Sequence, residues 1–249
     1  MKVGGVIPAR FGSTRLQGKA LLPILGKPMI QRVYERCQQA RVLDLICVAA
    51  DDERIVTAVK AFGGNAIMTR RGHASGTDRV AEAVETLQFD IVVNIQGDQP
   101  FIDPIMIEEA VQPMLDDPSL PMATLMHPLT DPADLADIGI VKVVCDVQGN
   151  ALYFSRSPIP YAREEVPHTV YEHVGLYVYR REFLLKLSQL LPTPLEQIES
   201  LEQLRVLENG FRIRVVESKC RDHHFCGFSV DTPEDLAKAE AFLRERGMS

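Results

Sequence analysis

The sequence contains no run of the roughly 20 apolar residues that a membrane-spanning helix requires. Its opening, MKVGGVIPAR, carries a single Lys with no long apolar stretch and cleavage site behind it, so neither a secretory leader nor a membrane partner is expected. The expected compartment is the cytoplasm. Long basic blocks are missing as well: 27 Lys and Arg stand against 34 Asp and Glu, for a formal net charge of −7, which disfavours a general nucleic-acid surface. The 5 cysteines are odd in number and irregularly spaced in a chain large enough to fold without cross-links, so reduced thiols are expected. No linker rich in Gly, Ser or Pro, internal repeat or low-complexity tract divides the chain, and one domain over 1–249 is the preferred reading.

Three signatures of common enzymes are also missing. Gly26-Lys27 is followed by Pro28, which breaks the GxxxxGK[ST] spacing, and no GxGxxG follows the first apolar run. A P-loop ATPase and a nicotinamide dehydrogenase are thereby disfavoured. The GxSxG turn of a serine hydrolase does not occur either.

What is present is an alternation of short apolar runs with segments of helical period, the pattern of an α/β fold with a mostly parallel central sheet. KVGGVIPA, LDLICVAA, NAIMT and FDIVVNIQGDQP read as strands. Helices are expected over 28–40, with Ile30, Val33, Tyr34 and Cys37 on one face, over 53–62, over 79–87 capped by Thr77 or Asp78, and near 104–114. The second half differs: MATLMHPL, GIVKVVCDVQGNALYFSR and HTVYEHVGLYVYR follow one another as strands and predict an antiparallel insertion. A helix over 195–208, a last strand FRIRVVES and a terminal helix over 232–244 opened by TPED complete the expectation.

Ligands of open α/β sheets bind beyond the carboxyl ends of the strands, which directs attention to the residues just past each apolar run. Those segments are Arg10 to Lys19, Asp51-Asp52, Ser75 to Arg79, Gln96 to Gln99 and, near the far end, Asp231. In the first, Gly12 and Gly18 let the backbone approach a ligand while Arg10, Arg15 and Lys19 offer charges suited to phosphate oxygens; the alternative is a solvated basic turn. Asp98 could hold Mg²⁺ against substrate phosphates or merely cap a turn, and Asp231 could complete that metal site or simply open a helix. Arg156 could meet a substrate carboxylate or form a salt bridge at a sheet edge. Cys220, His223, His224 and Cys226 form C-x-x-H-H-x-C, too compressed for the usual zinc spacing, so a reduced surface loop is the expectation. A basic loop with acidic metal ligands suits phosphoryl or nucleotidyl transfer.

The segments IPARFGSTRLQGKALLPILGKPMI, ASGTDR, VVNIQGDQP, ALYFSR, PLEQIESLEQLRVLENG and VDTPEDL resemble the bacterial 3-deoxy-manno-octulosonate cytidylyltransferases, in order and over nearly the whole chain, from Val3 to about Leu243. The resemblance implies a Rossmann-like nucleotide-diphospho-sugar transferase fold in a single cytidylyltransferase domain. An antiparallel and helical excursion over approximately 150–215 would serve sugar binding and dimerisation, making a homodimer. The implied reaction joins CMP from CTP to the 2-keto sugar acid Kdo, releases diphosphate and activates the sugar for lipopolysaccharide assembly.

Carried over by motif, the resemblance places Ala9, Arg10, Arg15, Lys19, Ser75, Gly76, Gln96 and Asp98 on CTP, with Lys19, Asp98 and Arg15 catalytic. Asp98 and Asp231 become Mg²⁺ ligands, and Arg156, His173, Glu202 and Gln203 fall on the sugar side. The chain departs from the family pattern at Gln17, where Pro is common, at Gln99, where Glu is common, and at Glu172, where an Arg usually precedes the histidine. Glu172 motivates an alternative, the same reaction on a sugar acid with a cationic substituent such as 8-amino-Kdo. A non-catalytic sugar-nucleotide binding protein is a further alternative.

Overall fold

The first apolar run becomes β1 (Val3–Ala9), buried on both faces as its lack of a polar side demands. The structure, a computed structural model, describes residues 1–12, 16–164 and 166–247, the side chains of His223 and His224 excepted. Two compact units are formed, Met1–Glu108 with Cys220–Ser249 and Glu109–Lys219.

In the first unit β1 lies between β2 (Leu45–Ala50) and β4 (Ile91–Asn94), and β2 also pairs β3 (Ala66–Met68), with every pair parallel. Helix α1 (Met29–Cys37) buries Ile30, Val33, Tyr34 and Cys37, the face its spacing predicts. Helix α2 (Glu53–Ala61) starts at Asp52, whose side chain accepts the Arg54 N–H. Helix α3 (Gly76–Thr86) begins three residues before the expected start. The cap is Ser75, which accepts the Asp78 N–H while Asp78 accepts the Ser75 N–H, so two free helix-end donors are satisfied at once and Thr77 is drawn inside. The terminal helix Pro233–Glu245 is capped in the same way by Thr232 and Asp235, with Pro233 in its first turn.

Helix α4 (Pro104–Asp116) precedes β5 (Met122–Pro128), β6 (Lys142–Cys145), β7 (Ala151–Ser155) and β8 (Tyr171–Arg180). Within the second unit β5 pairs β8 antiparallel and β9 (Ile213–Glu217) parallel, while β6 pairs both β7 and β8 antiparallel. The expected antiparallel character of the second half is therefore present. Helix α5 (Arg181–Leu187) follows β8 and was not expected. The single helix expected over 195–208 is instead two, α6 (Pro194–Glu199) and α7 (Gln203–Glu208), because Ser200 adopts the left-handed region at φ 53° and ends the first.

Candidate active site

Where β1 ends, the chain turns into the basic loop, and the described parts of that loop are held at both ends. The Phe11 N–H donates to Asp51 Oδ1 at 2.8 Å, and the Arg54 guanidinium lies 3.4 Å over the Phe11 ring. Gly18, at φ 66°, donates its N–H to the Phe11 carbonyl at 3.0 Å, which ties the two described ends together. Lys19 follows at the start of a single 3₁₀ turn, Lys19–Leu21. Its Nζ donates to Asp98 Oδ2 at 2.8 Å and to Asp231 Oδ1 at 3.0 Å.

The two aspartates come from segments far apart in sequence, and one backbone bond brings them together: the Val230 N–H donates to the Asp98 carbonyl at 2.9 Å. A close approach of backbone to backbone fixes the other side of this segment. At Gly97 any Cβ would stand 2.8 Å from the Pro8 carbonyl oxygen, so only glycine lets this turn lie against the end of β1. Asp231 is itself steadied, since its N–H donates to Asp235 Oδ2 at 3.1 Å. Burial works against the Asp235 carboxylate, but the N–H donors of Asp231 and Thr232 and the Thr232 hydroxyl hold it below the usual carboxylate range.

Lys19, Gly97, Asp98 and Asp231 line a cavity of about 340 Å³ together with Ala9, Arg10, Ser75, Gly76 and Gln96. Each described residue that the sequence places on CTP thus lines one cavity of the first unit; Arg15 lies outside the described residues. Cation binding also fits the donor set. Two hard carboxylate oxygens already converge on the Lys19 ammonium, which marks a position between them where positive charge is stable.

Among the lining residues given no role of their own from sequence are Met29, His73 and Arg79, the last inside the candidate segment Ser75 to Arg79. Arg79, in the ASGTDR segment, is buried and donates to Thr69 Oγ1 at 2.6 Å, to the Arg70 carbonyl at 3.0 Å and to Asp51 Oδ2 at 3.3 Å. Burial lowers its pKa, opposed by the neighbouring Asp51 carboxylate. His73 contacts Glu82, whose carboxyl is pushed up by burial yet held below its usual range by hydrogen bonds from His73 and Arg70. The Asp51-Asp52 pair, singled out by its place after β2, has structural work instead. Asp51 holds Phe11 and Arg79, while Asp52 caps α2 and is kept strongly acidic by hydrogen bonds from Arg54.

In the second unit, His173, on β8, accepts from or donates to Thr124 Oγ1 at 2.9 Å and packs edge-on against Phe154 at 4.9 Å. Burial pulls its pKa down to about 3, so the ring is neutral near pH 7 and acts as a hydrogen-bonding group only. Its ring also meets Tyr177 at 5.4 Å, and the Tyr177 hydroxyl donates to Gln203 Oε1 at 3.2 Å, with Glu202 adjacent at the start of α7. The buried Gln203 Nε2 has no hydrogen-bond partner among the described residues. Arg156 takes a different set of neighbours. Its Nε donates to the Glu199 carbonyl and its Nη1 to the Ile138 carbonyl, both at 2.8 Å, so the sheet-edge salt bridge considered for it is replaced by backbone acceptors. Glu172 lies in register opposite Lys142 on β6 and His127 on β5.

Comparison with known proteins carries the same pattern over the full length. The family model described as cytidylyltransferase matches residues 5–214. The 3-deoxy-manno-octulosonate cytidylyltransferase of Geotalea daltonii is 52% identical, covering 99% of this chain and 100% of its own. The enzyme of that name from Pelobacter propionicus is 52% identical over 98% of each chain. Among solved structures, a CMP:2-keto-3-deoxy-manno-octonic acid synthetase complexed with CTP superposes with a TM-score of 0.93 at 49% identity, over 99% of this chain and 100% of the other. Identity at this level and over this span leaves one assignment: the chain belongs to the cytidylyltransferase family, among the 3-deoxy-manno-octulosonate cytidylyltransferases.

Proposed function

We propose that this protein transfers CMP from CTP to the anomeric hydroxyl of 3-deoxy-manno-octulosonate, releasing diphosphate. The observation that carries the proposal is the convergence of Lys19, Asp98 and Asp231 in a cavity that also takes in the N-terminus of α3. Arg10 and Lys19, with Arg15, bind the triphosphate and stabilise the charge that gathers on the departing diphosphate. At the start of α3 the Ser75 N–H is held by Asp78, while the Gly76 backbone, which lines the cavity, suits the acceptor edge of the cytosine. Gln96 and Asp98, which line the cavity, are assigned to the ribose and α-phosphate, and Ala9 to the base.

The reaction is direct attack of the sugar hydroxyl on the α-phosphorus, in line with the leaving diphosphate, with no covalent enzyme intermediate. Asp98 and Asp231 are the residues that would hold Mg²⁺. Bound there, Mg²⁺ would supply charge neutralisation at the phosphate oxygens. Lys19 would then exchange its carboxylate partners for phosphate oxygens, a change its flexible stem permits. Arg156, His173, Glu202 and Gln203 of the second unit are assigned to the sugar, His173 as a neutral hydrogen-bonding group.

The same reading makes the protein a cytoplasmic homodimer that activates the sugar for lipopolysaccharide assembly. Exposed apolar side chains of the second unit, Leu152, Leu195 and Ile198, support the dimer, and among the described residues no helix is long and apolar enough to cross a membrane. Diphosphate release with CTP, Mg²⁺ and Kdo tests the activity. Asp98→Ala and Asp231→Ala are each expected to slow it by about 100-fold or more. Full activity in either variant overturns the assignment of that residue.

A further inference from the structure

Spacing alone spoke against zinc at Cys220 and Cys226, but the fold supplies a donor that spacing does not reveal. Asp103, distant in sequence, places one carboxylate oxygen, Oδ2, 3.9 Å from Cys220 Sγ and 3.9 Å from Cys226 Sγ. The three donor atoms lie within 4.8 Å of one another. In a tetrahedral zinc site with metal–sulfur bonds of about 2.3 Å and a metal–oxygen bond of about 2.0 Å, the sulfur–oxygen separation is about 3.5 Å and the sulfur–sulfur separation about 3.8 Å. The observed sulfur–oxygen contacts need to shorten by only about 0.4 Å to meet that geometry.

The surroundings also suit a metal. Cys220 and Cys226 are 6% and 4% exposed, and Asp103 is half-buried. Phe101 stacks on Phe225 at 4.4 Å, with Phe228 and Phe242 beside them and the Arg246 guanidinium 4.1 Å over the Phe225 ring. Such an apolar shell limits solvent access to the donors. A disulfide between the two sulfurs makes no use of the carboxylate on which both converge.

We propose that Asp103, Cys220 and Cys226 are three ligands of a structural site for one zinc-class divalent cation, completed by a fourth donor. On binding, each sulfur exchanges its proton, released to solvent, for a bond to the metal, so two thiolates and one carboxylate face the dication. The site fastens two segments that also carry the aspartate pair. Asp103 follows Asp98 on one segment, and Cys226 precedes Val230, the partner of the Asp98 carbonyl, on the other.

The test uses the whole reduced protein, stripped with chelator and titrated with Co²⁺. One equivalent is expected to bind, with a thiolate-to-cobalt charge-transfer band in the near ultraviolet and tetrahedral ligand-field bands in the visible, both bleached by Zn²⁺. C220S and C226S each cut the charge-transfer intensity at one equivalent by about half or more, the double variant C220S/C226S removes it, and D103N weakens binding about 10- to 100-fold. A readout on the unmutated chain covers variants that fail to fold: one equivalent of Zn²⁺ slows alkylation of Cys220 and Cys226, located by mass spectrometry, and leaves Cys145 unaffected. Co²⁺ bound without thiolate bands, bands undiminished in C226S, or a Cys220–Cys226 disulfide forming with Zn²⁺ present overturns the proposal.

Discussion

Lys19 is the most informative residue to perturb, because its ammonium is the cation between two carboxylates before any ligand arrives. Its contacts of 2.8 and 3.0 Å place the Asp98 and Asp231 oxygens no more than 5.8 Å apart, their sum. The three side chains are 17%, 28% and 32% exposed, neither in bulk water nor in a dry interior. Two like charges at that separation repel by about 0.7 kcal/mol at the dielectric of water and about 2.9 kcal/mol at an effective value of 20. Lys19→Met removes the compensating charge while keeping the stem, so it is expected to destabilise the protein by roughly 1–3 kcal/mol. For a chain of this size that lowers Tm by roughly 2–12 °C. Adding Asp98→Asn to Lys19→Met removes the repulsion and restores most of the loss, and millimolar Mg²⁺ raises the Tm of the single variant more than that of the wild type. Thermal melting in chelator, then in Mg²⁺, reads all three effects without reference to turnover. A Lys19→Met protein that melts with the wild type, and that neither Asp98→Asn nor Mg²⁺ stabilises, refutes the reasoning.

Three further outcomes are expected. Ser75→Ala removes the α3 cap and costs about 1 kcal/mol, a Tm loss of roughly 2–4 °C that Ser75→Asp recovers, measured by melting. Gly97→Ala forces a methyl against the Pro8 carbonyl at 2.8 Å, with an expected loss of about 1–3 kcal/mol in unfolding free energy and weaker CTP binding by calorimetry. His173, at a pKa of about 3 when folded, binds its proton mainly in the unfolded state between that value and its ordinary range. Stability therefore falls as pH drops through this window, and urea unfolding at pH 6.5 and pH 5 is expected to show His173→Asn losing about 1–2 kcal/mol less than the wild type.

The first unit was legible because its sequence speaks locally. The apolar runs at Val3–Ala9 and over 91–93 fit buried parallel strands, and the face of α1 follows from its spacing. Caps were less clear, since Ser75, Thr77 and Asp78 all have capping side chains and only the reciprocal bond between the first and last decides the start of α3. The break at Ser200 was hidden because nothing in its chemistry asks for a left-handed backbone. In the site, Lys19, Asp98 and Asp231 could each be named from a motif, but their mutual contact depends on the Val230 to Asp98 bond, which joins segments no local pattern relates. Arg79 fell inside a candidate segment but was given no role for the same reason: its partners Asp51 and Thr69 lie in other loops.

That one unit is assembled from Met1–Glu108 and Cys220–Ser249 has a consequence for how the protein comes into being on the ribosome. After Glu108 leaves the decoding centre, more than a hundred residues are polymerised before Asp231 arrives, which takes between about 6 and 25 s at usual synthesis rates. Throughout that interval the nascent chain holds Lys19 and Asp98 but not the second carboxylate, and Asp98 has not yet met Val230. The Lys19, Asp98 and Asp231 cluster is therefore assembled late, when the last segment docks, and a ribosome stalled anywhere in between carries a chain without it.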